Sequence, residues 1–154
     1  MNYFIYVLVG LIAAVLALAI YVRLAPTDAA FWHNPKLPVM GPGDYPSTGA
    51  HLAQRPIDGD GRAEFAQLDE IIRATPRTQV VAGALADGKI TYVTRSAVWA
   101  FPDFTTITLA QLPTTSMSTV QIYSRLRFGK ADLGVNRLRI EGWLSQWQAA
   151  RDAQ

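Results

Sequence analysis

The chain has 154 residues, half of them hydrophobic and 17% charged, with a formal net charge of +2. That balance excludes a disordered chain, a long coiled coil, a multi-pass transporter, a multidomain enzyme and a nucleic-acid partner read from charge alone, and leaves room for one folded domain. Cysteine is absent, which removes thiolate metal sites, iron–sulfur clusters, disulfide staples, cysteine nucleophiles and acylated lipoprotein anchors together.

Residues 1–22 contain no Asp, Glu, Lys or Arg, so all 14 basic and 12 acidic residues fall in 23–154. The run from Tyr3 to Val22, YFIYVLVGLIAAVLALAIYV, is about 20 apolar residues, which at about 1.5 Å each cross a hydrocarbon core of about 30 Å. It predicts a transmembrane anchor over 1–23, meeting the bilayer through residues 3–22, with Tyr3, Tyr6 and Tyr21 toward its ends at headgroup level. The competing reading, a cleaved signal peptide, calls for a shorter apolar region after a basic start, and Met1-Asn2 supplies no Lys or Arg. Arg23 alone flanks the stretch and argues weakly for a cytoplasmic domain. An apolar N-terminal segment ahead of one folded domain is also the layout of signal-anchored periplasmic proteins, and the periplasmic orientation is the one adopted.

Residues 24–61 hold six of the nine prolines (Pro26, Pro35, Pro38, Pro42, Pro46 and Pro56), a composition that argues against regular helix or central strand. They are expected to form an extended lead-in, and Phe31, Trp32, His33, Tyr45 and His51 suggest that part of it packs along the domain. The domain proper is expected over 62–154. A helix is signalled by Phe65, Leu68, Ile71 and Ile72, with Asp60 as cap and Pro76 as stop. Strands are expected at 78–84, 89–98, 104–112 and 117–128, joined by short connectors at Asp87-Gly88, Pro102-Asp103 and Pro113-Thr114. A last helix over 132–150 has Asp132 as N-cap and Leu133, Ile140, Trp143, Leu144 and Trp147 on one stripe. The expected fold is α+β: a two-layer domain, four antiparallel strands with two helices on one face.

In the last strand Val120, Ile122, Ser124, Leu126 and Phe128 alternate with Gln121, Tyr123, Arg125 and Arg127, so one set faces the helices and the other faces away. Arg95 shares that outer, basic and aromatic face, which is either a solvated surface or a ligand platform. Between 123 and 139 five basic residues, Arg125, Arg127, Lys130, Arg137 and Arg139, stand against Asp132 alone. Such a patch suits an anionic lipid headgroup, a polyanion or an acidic protein face. Asn136 falls in the apolar arc of the last helix, so its amide must find partners, most simply at a strand end or the loop around Gly129. Catalytic patterns are scarce. His33 and His51 lie in the lead-in without metal-ligand spacing, and Asp58-Gly59-Asp60-Gly61 lacks the later ligands of a calcium loop and reads as a turn. Ser96, Ser118 and Ser124 stand in no nucleophile motif. No cofactor or metal is implied.

The runs Thr94-Arg95-Ser96-Ala97, Phe101-Pro102-Asp103 and Ile122 to Arg137 resemble the domain of unknown function family fourteen ninety-nine, found in bacterial and plastid proteins. Its closing motif runs approximately Ser-x-Ser-Arg-x-Gly-x-x-Asp-x-Gly-x-Asn-Arg-x-Arg, matched here by Ser124-Arg125 and by Phe128-Gly129, Asp132, Gly134, Asn136-Arg137 and Arg139. The resemblance implies a compact α+β domain and an envelope location, supplies no activity, and draws attention to Arg95, Arg125, Asp132, Asn136 and Arg137. An Arg125–Asp132 ion pair bracing the strand–helix junction is the purely structural account of the motif.

The function expected is that of a single-pass protein of the bacterial inner membrane with a non-catalytic binding or assembly domain and a membrane-protein partner. The alternative is a small envelope enzyme or anionic-lipid-binding module. The candidate binding residues are Arg95, Tyr123, Arg125, Arg127, Asp132, Asn136 and Arg137.

Overall fold

The computed structural model describes residues 2–37, 40–111 and 117–153. Helix α1 (Asn2–Leu24) is long and apolar enough to cross a membrane, and every described side chain from Tyr3 to Leu18 is exposed. An apolar helix with no covered stripe has no core of its own to serve. Only its last turn is covered: Val22 is 2% exposed, and the Tyr21 ring meets Phe128 edge-on with centroids 5.8 Å apart.

Six strands, not four, form one antiparallel sheet: β1 (Gly43–Ser47), β2 (Ala50–Asp58), β3 (Thr78–Ala84), β4 (Lys89–Arg95), β5 (Pro102–Gln111) and β6 (Met117–Leu126), in the order β1-β2-β6-β5-β4-β3. The order of the meander from β3 to β6 is as expected, but Pro102 and Asp103 belong to β5 and pair with β4, and the connector between the two strands is residues 96–101. The two additional strands come from the proline-rich stretch, and β2 lies inside the sheet. Each proline occupies a place that tolerates a missing N–H. Pro46 is on the edge strand, and Pro102 opens β5. Pro56 lies where β2 has run past β1, whose pairing reaches only Gln54. The expected connector at Pro113-Thr114 lies outside the described residues.

Helices α3 (Arg62–Arg73) and α4 (Val135–Asp152) cover one sheet face, and α2 (Ala29–His33) lies on the other. Cross-strand register places Ala53, Ile122, Ile107 and Ile90 in one row beneath α3 and α4. Phe65, Leu68 and Ile72 from α3 and Ile140, Trp143 and Trp147 from α4 close the core over that row. Each fully buried aliphatic contributes about 1.5–3 kcal/mol. Both indoles keep a polar partner: Trp143 Nε1 donates to Thr75 Oγ1 at 2.7 Å and Trp147 Nε1 to the Glu64 carbonyl at 3.0 Å, tying α4 to α3. Buried Asp69 accepts from the Tyr92 hydroxyl and from Arg73 Nε. Burial and that hydrogen bond raise the Tyr92 pKa far above the usual phenol range.

Two local readings are corrected. Leu133 is not on the buried stripe: it lies in the turn before α4 with φ 52° and is 95% exposed. Asp60 and Asp132 stand one and two residues ahead of the assigned caps, Gly61 and Gly134, yet each carboxylate accepts from the first backbone N–H groups of its helix.

Candidate functional site

The face of the sheet away from α3 and α4 carries Arg125, Phe104 and Val93 in one cross-strand row and Tyr123, Thr106 and Thr91 in the next. Alternation along β6 puts Arg125 and Tyr123 there, as the sequence indicates. The face is not open, because α2 lies on it. Asp28 caps this single turn, its Oδ1 accepting from Phe31 N at 3.0 Å. The Trp32 ring stacks on Phe104, centroids 4.0 Å apart and planes 13° from parallel. The Arg125 guanidinium lies 4.7 Å from the Trp32 ring, 5.2 Å from Tyr123 and 5.8 Å from Phe31, and donates to the Trp32 carbonyl at 2.8 Å. Burial lowers the Arg125 pKa, yet a guanidinium stays charged at neutral pH, which suits it to this aromatic enclosure.

The hydrogen bonds beneath α2 run in one direction. Thr106 Oγ1 donates to the Trp32 carbonyl at 3.1 Å, so its oxygen accepts from Thr91 at 2.9 Å, and Thr91 in turn accepts from His33 Nδ1 at 3.0 Å. The proton of neutral His33 therefore sits on Nδ1. Only glycine at position 83 permits this approach. Its φ is 81°, and a Cβ there would meet the Lys89 carbonyl oxygen at 2.1 Å and His33 Cε1 at 2.7 Å.

Burial and the Lys89 charge lower the His33 pKa, with Asp87 opposing weakly. Because the folded pKa lies below the unfolded value of about 6.5, the folded chain binds fewer protons in the window between them. Stability therefore rises with pH through that window, and α2 docking weakens as pH falls below about 6.5. An NMR titration of the His33 ring should give a midpoint below that of a free histidine, and a midpoint at or above it would contradict the geometry.

A second cluster joins β6 to α4. Thr105 donates to Ser124 at 2.9 Å, Ser124 Oγ to Asn136 Oδ1 at 2.5 Å, and Arg139 to the same oxygen at 2.9 Å while also pairing with Asp103 at 2.9 Å. Asp132 accepts from the backbone N–H groups of Gly134 and Asn136 at 3.1 and 2.8 Å. Burial works to raise the Asp132 pKa, but these donors hold it below the usual carboxylate range. Burial raises the Asp103 pKa against the pull of Arg139. Asn136 Nδ2 is buried with no hydrogen-bond partner among the described residues. The junction is thus braced through Asn136 and Arg139. Arg125 points to α2 rather than to Asp132, so the expected Arg125–Asp132 ion pair is replaced by Arg139–Asp103.

The other candidates lie apart from these clusters. Arg127 donates to the Pro26 carbonyl at 2.6 Å and to Thr27 Oγ1 at 3.1 Å, fastening the segment that follows α1. Arg95 shares the outer face by register but donates to the Ala100 carbonyl within its own loop. Arg137 points outward, paired with Glu141 at 3.3 Å. Among the described residues the seven candidates divide among separate contacts. Among the described residues no group of three or more His, Cys, Asp or Glu could hold a metal ion. The lead-in aromatics signalled packing, but their partners Phe104, Thr91 and Thr106 come from strands distant in sequence and could be paired with them only through the register.

The family model described as "Protein of unknown function (DUF1499)" matches residues 39–146, from just before β1 into α4. No curated protein matches the chain.

Proposed function

The chain belongs to the DUF1499 family, and we propose that it is a single-pass protein of the bacterial inner membrane whose periplasmic domain is a non-catalytic binding or assembly module of a membrane complex. The observation that carries this reading is the continuity between α1 and the domain. An apolar helix exposed on all sides ends in a turn where Val22 is buried and Tyr21 packs on Phe128, while Arg127 fastens residues 26 and 27. A domain held this closely to its anchor is positioned for partners in or on the membrane. The polar residues of the family motif support a non-catalytic role, since Asn136, Arg139 and Asp103 are engaged in fixing β6 to α4.

The anionic-ligand alternative keeps one specific support, the Arg125 guanidinium among three aromatic rings. Arg125 already donates through Nη2 to the Trp32 carbonyl, so an anionic group would compete with α2 for that donor.

Two measurements test the proposal. Alkaline phosphatase fused to the C-terminus should be active in cells, and an inactive fusion overturns the periplasmic placement. Affinity capture of the full chain in mild detergent should retain a defined membrane-protein partner, and a chain that always purifies alone as a monomer overturns the assembly role.

A further inference from the structure

A groove of about 680 Å³ opens where α1 meets the domain, within the size range of small-molecule sites, about 300–1,000 Å³. Its walls are Leu18 of α1, Trp99 and Phe101 of the β4–β5 loop, and Leu126, Phe128 and Leu133 at and after the end of β6. The polar groups at its margin are already engaged. Ser96 Oγ accepts from Phe101 N, Asp103 pairs with Arg139, and Asp132 caps α4. What the groove offers a ligand is therefore apolar surface. Its apolar rim is exposed to an unusual degree: of the lining residues Trp99 is 50% and Leu133 95% exposed, and Val98, next to Trp99 in the chain, is 75% exposed. Both sides of the lip carry a left-handed non-glycine residue, Ala100 at φ 58° and Leu133 at φ 52°, a conformation that costs about 1–2 kcal/mol each and that tends to mark functional segments.

We propose that this groove holds an acyl chain of a membrane phospholipid, with the Val98-Trp99 and Leu133 lips resting in the bilayer interface. The proposal rests on the reading of α1 as a membrane anchor. Leu18 identifies the occupant: it lies six residues before the end of α1 at Leu24, about 9 Å along the axis at about 1.5 Å per residue. With α1 in the bilayer, one wall of the groove is at hydrocarbon depth, and the neighbouring apolar species there is a lipid tail. Trp99 at the mouth has the amphipathic ring that favours the headgroup region. Apolar lips that would be a liability in water are covered when the domain sits on lipid.

The test uses the full chain in nanodiscs of mixed phosphatidylglycerol and phosphatidylcholine with a trace of phospholipid carrying a diazirine at the end of one acyl chain. After irradiation, labelled residues are mapped by mass spectrometry. Label is expected on α1 and also on segments 96–101 and 126–135. Trp99→Glu, Leu133→Glu and Leu133→Gly should each reduce labelling of those two segments toward the level of α3 while α1 stays labelled. Leu133→Gly suits the left-handed backbone, so its loss of label cannot be assigned to misfolding. Label on α1 with segments 96–101 and 126–135 at the level of α3 overturns the groove proposal and leaves the anchor standing. Absence of label from α1 overturns the anchor reading and the groove with it. Groove labelling that survives all three substitutions also overturns the proposal.

Discussion

Replacing Asn136 by alanine should cost the domain about 2–4 kcal/mol, measured by urea unfolding of the full chain in detergent. Asn136 is fully buried at the first turn of α4, and its Oδ1 is the shared acceptor for Ser124 Oγ and Arg139. Truncation leaves the Ser124 hydroxyl, also fully buried, as a donor without an acceptor, because Thr105 already donates to it. It also takes a charge-assisted bond from Arg139, which then holds only Asp103. Neither loss can be repaired by water without opening the joint between β6 and α4. Ser124→Ala removes the donor along with its need, so the double variant should cost less than the two single variants together, with a coupling of about 1 kcal/mol or more. Strict additivity would mean that the chain from Thr105 to Arg139 does not act as a unit. The result also bears on the family motif, since in this chain Asp132, Gly134 and Asn136 together set the entry of α4 onto the sheet.

The particular places where the sequence was and was not legible share a physical cause. Periodicity is a local signal, and it located α3, α4 and the four strands from β3 to β6, together with the two faces of β6. Asn136 was legible as a buried amide because its position in the helical arc left it nowhere else to go. Strands β1 and β2 are not legible, because proline content carries no information on which side of each strand faces a neighbour. Pro56 is tolerated only because β1 stops pairing at Gln54, a fact of tertiary arrangement. Proximity in sequence suggests Arg125 and Asp132 as an ion pair at the joint. Arg125 instead faces α2 across the sheet, and Asp132 spends its charge on backbone N–H groups. Spacing puts Leu133 on the stripe, but it lies in a left-handed turn ahead of the first residue of α4.

Trp32→Ala should release α2 from the sheet, at a cost of about 3 kcal/mol, at the low end for removing an indole from a packed site because Trp32 is only partly buried. The substitution removes the stack on Phe104 and the ring closest to the Arg125 guanidinium, while the Trp32 backbone carbonyl remains able to accept from Arg125 and Thr106. The two hydrogen bonds to that carbonyl and the one from His33 to Thr91 do not by themselves hold a five-residue helix against the entropy it regains on release. New cleavage by trypsin at Lys36 is the expected signature, together with loss of the depressed His33 pKa as the ring leaves its buried site beside Lys89. Arg125→Lys should open α2 less than Arg125→Ala, because the ammonium keeps the charge but not the planar contact with the rings. The open variant also separates the two functional readings. If the Arg125 platform is a ligand site gated by α2, Trp32→Ala should bind vesicles containing phosphatidylglycerol more tightly than the unaltered chain, and adding Arg125→Ala should abolish the gain. If the platform is a seat for α2 and nothing else, opening it lowers stability with no gain in binding, and recognition must lie elsewhere on the domain.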